Sequence, residues 1–142
     1  MYEYTIHHNS LDVATYQKLR KSTTWNELDD NVVEKALQKD LFNVSIFYGE
    51  QAVGMGRVIG DGAIYFYLQD IIVLPAFQKK GLGQMIMNEI EKFLQESTYP
   101  NTFIGLMAAK GVKPFYQKFG YQVRPDQGPG MYRLIKKETI ND

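Results

Sequence analysis

Between Leu74 and Ile90 the chain reads LPAFQKKGLGQMIMNEI, and its centre, Gln78-Lys79-Lys80-Gly81-Leu82-Gly83, sets two lysines beside two glycines. An apolar run ends just before this stretch and an amphipathic one begins inside it, so it falls where a strand passes into a helix. Unpaired amides at a helix start carry partial positive charge and point outward, an arrangement suited to a phosphate. Glycine at 81 and 83 removes the Cβ atoms that would keep a bulky diphosphate from the backbone, and Lys79 and Lys80 add charge. The competing reading is a glycine-softened helix start with solvated lysines. A P-loop requires Lys and then Ser or Thr after its last glycine, where this chain has Gln84-Met85. A dinucleotide fingerprint requires a third glycine where Ile86 stands. The pattern Gln/Arg-x-x-Gly-x-Gly/Ala, between strand and helix, is met at every position.

Other reactive side chains are few. With no cysteine in 142 residues, disulfides, thiolate nucleophiles and cysteine metal sites are excluded. The two histidines, His7 and His8, are adjacent and on a strand would point to opposite faces, so they cannot share a metal. Gln69-Asp70 is the one polar interruption of a long apolar segment, and alternation predicts opposite faces for its two side chains. Asp61, in Gly-Asp-Gly, reads as a turn residue. The 16 basic and 16 acidic residues cancel, which argues against a chain-wide hold on nucleic acid or anionic membrane. MYEYTIHHNS lacks a signal-peptide pattern and no apolar run has the length of a membrane span, so the cytoplasm is the expected compartment.

These residues need a scaffold. The length suits one domain over 1–142, large enough for a core of its own. Tyr2 to His8 alternates as a first strand; NSLDVATYQKLRKS predicts a helix capped by Asn9 or Ser10 with Leu11, Ala14 and Leu19 on its face. A second helix runs from Asp30, capped by Asp29 or Asp30, with Val32, Val33, Ala36 and Leu37 inward. Asn43–Tyr48 and Gln51–Ile59 form a hairpin about Gly49-Glu50. Ala63–Leu74 is a central strand expected to be buried on both faces, and Gly81–Glu96 an amphipathic helix. TFIGLMAA is a further strand, and GVKPFYQKFGY a short helix with Pro114 near its start and Gly120 at its stop. YQVRPDQGPGMYRLIKK predicts two strands around a DQGPG loop. Helices between strands on a mixed sheet make an α/β or α+β domain of three layers.

The glycine pattern and the order of elements around it, from QAVGMGRVIGDGAIYFYLQDIIVLPAFQKKGLG through KPFYQKFGY, resemble the GNAT superfamily of N-acetyltransferases. The resemblance implies a mixed, mostly antiparallel central sheet with a splayed strand pair and flanking helices. It implies acetyl-CoA as the acyl donor. Its pyrophosphate would rest on the loop at Gln78, Lys79, Lys80, Gly81, Leu82, Gly83 and Gln84, and its pantetheine amides would pair with the strand backbone at Ile71, Ile72 and Val73. The implied reaction is direct attack of an amine on bound acetyl-CoA, with no metal and no protein nucleophile.

Such a transfer requires amine deprotonation, carbonyl polarisation and protonation of the departing thiolate. In many members a tyrosine a few residues before a Gly-aromatic pair serves as the acid, and Tyr116 occupies that place. Tyr116 also shares an apolar stripe with Val112, Phe115 and Phe119, which equally describes a core tyrosine. Asp70 is the candidate for relaying the amine proton through water; a bulge or an ion pair with Arg57 or a lysine is its structural alternative. Two departures from the pattern stand out: Ala109 where many relatives have asparagine, and no glutamate base on the central strand. The acceptor is expected between the first helices and the last hairpin, near Trp25, Met55, Met107, Met131 and Tyr132. A small free amine fits a neutral chain: an aminosugar, a polyamine, an amino acid derivative or a drug, with a peptide N-terminus as alternative. A catalytically inactive CoA-binding sensor is the reading from another class. The fold commonly forms homodimers.

Overall fold

Up to Met107 the strand-forming stretches pair into one five-stranded sheet in chain order: β1 (Tyr4–His8), β2 (Phe42–Tyr48), β3 (Gln51–Gly60), β4 (Tyr65–Val73) and β5 (Phe103–Leu106). This is seen in the computed structural model, which describes residues 3–136. The first three pairings are antiparallel and β4–β5 is parallel, so the sheet is mixed and mostly antiparallel. Tyr2, assigned from sequence to the first strand, lies outside the described residues.

β2 and β3 close on Tyr48 opposite Gln51, with Gly49 at φ 62°, the positive value that matches a tight hairpin to sheet twist. Between β3 and β4, Asp61 Oδ1 accepts the amides of Ala63, Ile64 and Tyr65 at 2.8, 2.8 and 3.0 Å. Those amides hold its carboxyl below the ordinary range.

Helices cover both faces. α1 (Val13–Arg20) and α2 (Asp30–Leu37) pack over one face, where Leu11, Tyr16, Leu19 and Val33 join Ala52, Met55 and Ile72 in a core cluster. α3 (Leu82–Ser97) lies on the other face through Leu82, Ile86, Met87, Ile90 and Leu94, all buried. Each such side chain contributes roughly 1.5–3 kcal/mol of burial. Gly54 and Gly56 of β3 allow the close approach: a Cβ on Gly56 would stand 2.7 Å from Ile86 Cγ2. Met55, between them, points to the α1 face, as strand alternation requires.

Two expectations are corrected here. α1 is capped by Asp12, whose side chain accepts the Thr15 amide at 2.8 Å, and not by Asn9 or Ser10. Asn9 instead turns at φ 56° and pins β2 by accepting the Asn43 amide at 3.0 Å. β4 is buried on both faces only in part: Phe66 is buried on the α3 side and Asp70 and Ile72 on the α1 side, while the residues between the buried ones are half-buried. Among the described residues, β5 pairs only with the first four residues of β4, Tyr65 to Leu68.

A second compact unit begins at Ala108. It contains α4 (Lys113–Gln117), which starts with Pro114 in its first turn and is followed by Gly120 at φ 92°. The two predicted tail strands are absent from residues 121–136, and Lys137 lies outside the described residues. Pro125 and Pro129 cannot donate to a ladder, and the segment closes on itself instead. The Gly128 amide bonds to Pro125 O at 2.9 Å, and Arg124 Nε to Gly128 O at 2.9 Å.

Candidate active site

The β4–β5 ladder runs from Tyr65–Phe103 to Leu68–Leu106 and stops. From Gln69 to Val73, β4 keeps its bonds to β3 but has no strand on its other side among the described residues. Five residues at about 3.3 Å each leave some 16 Å of backbone edge open to a ligand. That edge includes Ile71, Ile72 and Val73.

The chain then makes one 3-10 turn, Pro75–Phe77, and enters the glycine-lysine stretch. Gln78 folds back, its Nε2 donating to Val73 O at 3.0 Å, which ties the loop to the end of the open edge. Lys79 adopts φ 64° and Gly81 φ 86°. Gly81 is the N-cap of α3, with nothing within 4 Å of the place a Cβ would occupy. No side chain caps this helix, so the amides of Leu82, Gly83 and Gln84 in its first turn lack an intrahelical partner. Lys80 Nζ lies 5.7 Å from the Phe77 ring centroid, and neither lysine meets a carboxylate among the described residues. An anion of diphosphate size would find open space, aligned amides and two cations here.

Behind the open edge lies a buried polar network. Between the paired positions Met55–Ile72 and Arg57–Gln69, β3 contributes only Gly56 while β4 contributes Asp70 and Ile71, a β-bulge. Asp70 takes φ 57° and is 3% exposed. Its Oδ2 accepts Arg57 Nη1 at 2.9 Å and the Tyr16 hydroxyl at 2.8 Å. Arg57 reaches back to Asp40, with Nε at 3.0 Å and Nη2 at 2.6 Å from Oδ1. Arg20 Nη1 donates to Tyr16 Oη at 3.0 Å and lies 3.7 Å from Asp70 Oδ1. Burial alone would lower the Arg57 pKa, but the two carboxylates raise it above its ordinary value. Burial, then the Asp70 charge, pushes the Tyr16 phenol upward. Two acids and two guanidinium groups balance, as a buried cluster must.

The bulge corrects one more expectation. Gln69 and Asp70 do not point to opposite faces; Gln69 Nε2 lies 3.4 Å from Asp70 Oδ1. Before the bulge Phe66 meets Phe93 of α3; after it, Asp70 and Ile72 turn to α1 while Ile71 faces the α3 side beside Gly56. Both structural alternatives considered for Asp70, bulge and Arg57 ion pair, are present together. Sequence reasoning missed Tyr16, Arg20 and Asp40. The available signal was the Tyr16/Arg20 spacing of four on α1, which puts both on one helix face.

A cavity of about 230 Å³ opens at the α1–α2 connection, lined by Gln17, Arg20, Trp25, Glu27, Leu28 and Asp30 among others. The Arg20 guanidinium lies 5.4 Å from the Trp25 ring centroid, so one residue touches both cavity and network. Of the other acceptor candidates, Met55 is wholly inside the core and lines no surface. Met107, Met131 and Tyr132 are exposed. In the second unit, Tyr116 packs its ring 5.1 Å from that of Phe115, burial raises its pKa, and its hydroxyl has no partner among the described residues.

The acetyltransferase (GNAT) domain model matches residues 10–128, most of the chain. The chain belongs to the GNAT acetyltransferase family. It is 28% identical over 120 residues to an uncharacterised ycf52-like N-acetyltransferase of Prochlorococcus marinus, which it spans to 66% while 82% of this chain is covered. With the chloroplastic GCN5-related N-acetyltransferase 2 of Arabidopsis thaliana it shares 29% over 125 residues, 87% of this chain and 43% of that one. The chain thus spans about two thirds or less of these curated relatives. Among solved structures, the Staphylococcus aureus protein SA2161, named a "Probable Acetyltransferase", superposes with a TM-score of 0.87 at 28% identity. That match covers 94% of this chain and 100% of the other. The open edge of β4 and the loop that follows it lie within the segment matched by the family model. Among the described residues no group of three or more His, Asp or Glu could hold a metal, and no helix is long and apolar enough to cross a membrane.

Proposed function

We propose that the chain transfers an acetyl group from acetyl-CoA to the primary amine of a small molecule, by direct attack in a ternary complex. The observation that carries this reading is the unpaired β4 edge, Ile71 to Val73, running within a few residues into the glycine-opened start of α3. When bound, acetyl-CoA supplies an activated thioester acetyl group. In this reading the backbone of Ile71 and Val73 holds the pantetheine amides. Lys79, Lys80, Gly81, Leu82, Gly83, Gln84 and the loop tie at Gln78 hold the pyrophosphate. Tyr116, kept protonated by burial, acts as the acid for the thiolate. The acceptor enters from the cavity beside Trp25, where the carboxylates Glu27 and Asp30, set beside the cations Arg20 and Lys21, are available to an amine. The cytoplasm is the proposed compartment.

Calorimetric titration with acetyl-CoA, with ATP and NAD as controls, tests the donor site. Selective acetyl-CoA binding is expected, and thiol release with a panel of amines would then identify the acceptor. Absence of acetyl-CoA binding would overturn the reading. Ala109, in place of the family's asparagine, favours one alternative, a CoA-binding sensor without turnover. It predicts donor binding and no thiol release with any amine.

A further inference from the structure

We propose that Arg57, Tyr16 and Asp40 are positioning residues for the acyl donor, acting through the Asp70 carboxylate to hold the bulge that keeps the Ile71–Val73 edge open; this rests on the donor site proposed above. A non-glycine residue at φ 57° in mid-strand is disfavoured unless its surroundings fix it. The Asp70 side chain is fixed from two elements: Arg57 on the adjacent strand at 2.9 Å and Tyr16 on α1 at 2.8 Å. Arg57 can do this because Asp40 holds its other edge at 2.6 Å, orienting the guanidinium toward β4. The β4–β5 ladder ends at Leu68, two residues before the bulge, and the face switch follows directly after it. A regular β4 would carry the alternation of Tyr65–Leu68 onward and keep the geometry that lets β5 pair. The same contacts leave Asp70 Oδ2 filled by two donors, with Oδ1 facing Arg20 at 3.7 Å and Gln69 at 3.4 Å. A carboxylate so occupied is suited to holding backbone and poorly placed to take a proton from an amine.

The test compares wild type with Arg57→Lys, Tyr16→Phe, Asp70→Ala and Asp70→Asn. It measures acetyl-CoA affinity by calorimetry, amide hydrogen exchange at Ile71–Val73, and thermal midpoint. Lysine keeps the charge but cannot bridge two carboxylates, and alanine keeps neither the ties nor a tolerance for positive φ. Both should weaken acetyl-CoA by about tenfold or more and speed exchange at Ile71–Val73; about tenfold corresponds to ~1.4 kcal/mol. Tyr16→Phe, the mildest change, should weaken binding by about threefold, the same direction at smaller size. Asparagine tolerates the left-handed region and still accepts from Tyr16 and Arg57, so Asp70→Asn should keep acetyl-CoA affinity within about threefold. If Arg57→Lys and Asp70→Ala lower the thermal midpoint while binding acetyl-CoA like wild type, the network is only structural and the proposal fails. It fails equally if Asp70→Asn loses affinity as fully as Asp70→Ala. Wild type that binds no acetyl-CoA would instead refute the donor site, and the exchange rates at Ile71–Val73 would still decide whether the network holds the bulge.

Discussion

Tyr116 and Tyr67 are both tyrosines whose phenols burial pushes above the ordinary value of 10.0, and they ask opposite questions. For Tyr116 the raised pKa keeps the acid protonated through neutral pH. Turnover that depends on it should hold below the ordinary tyrosine range and fall as pH rises through the raised value. Tyr116→Phe should lower kcat by about a hundredfold or more and remove that alkaline limb, read from thiol release against pH. Unchanged kcat would take the acid role from Tyr116. The Tyr67 hydroxyl is buried with no hydrogen-bond partner among the described residues. Deleting an unsatisfied hydroxyl relieves a desolvation cost, so Tyr67→Phe should leave the thermal midpoint unchanged or raise it. A fall of several degrees would mean the hydroxyl has a partner it depends on. Neither tyrosine's environment was legible in the sequence. Spacing put Tyr116 on an apolar stripe and by itself leaned toward a core tyrosine; only the family resemblance turned the reading to an acid, because a phenol serves both. Tyr67 lay in a run so rich in aromatic residues that no single hydroxyl stood out.

At the scale of elements, legibility followed periodicity. α3, with its apolar stripe from Leu82 to Leu94, and the β2–β3 hairpin, with Gly49 at its turn, were read to within a residue or two. Their signals are local. The bulge was only one of the readings open for Asp70, since Asp70 and Ile71 share one position opposite Gly56 and the partner strand is what reveals it. The tail failed for another reason: the stretches on either side of DQGPG were read as strands, while Pro125, Pro129 and the Arg124–Gly128 bond close a turn. The glycines of β3 were quoted for family resemblance, yet their physical role is contact with α3. Gly56→Ala would force a Cβ to 2.7 Å from Ile86. Overpacking of this kind costs about 1–3 kcal/mol, so the urea midpoint should fall without a change in slope. An unaltered midpoint would mean that α3 shifts freely over the sheet, contrary to its buried face.

For the whole molecule, opposite charges cancel, 16 against 16, so any electrostatic pull on a polyanionic donor must be local. Lys79 and Lys80 are the cations at the loop. Raising NaCl from roughly 0.05 to 0.5 M should weaken acetyl-CoA binding several-fold, because exposed charges are screened over a shorter range. The Lys79→Ala/Lys80→Ala double variant should bind more weakly and lose most of that salt dependence. A salt slope equal to that of wild type would place the attraction elsewhere.

The parting of β4 from β5 also bears on how the chain behaves in concentrated solution. Among the described residues no strand pairs with this side of Gln69–Val73, and such an edge is a template that another polypeptide can extend. Occupied by a ligand it is sealed; without one it is open to pairing. Light scattering should therefore rise with time in concentrated unliganded protein and stay flat when acetyl-CoA is saturating, so that the donor also acts as the guard of the fold's colloidal stability.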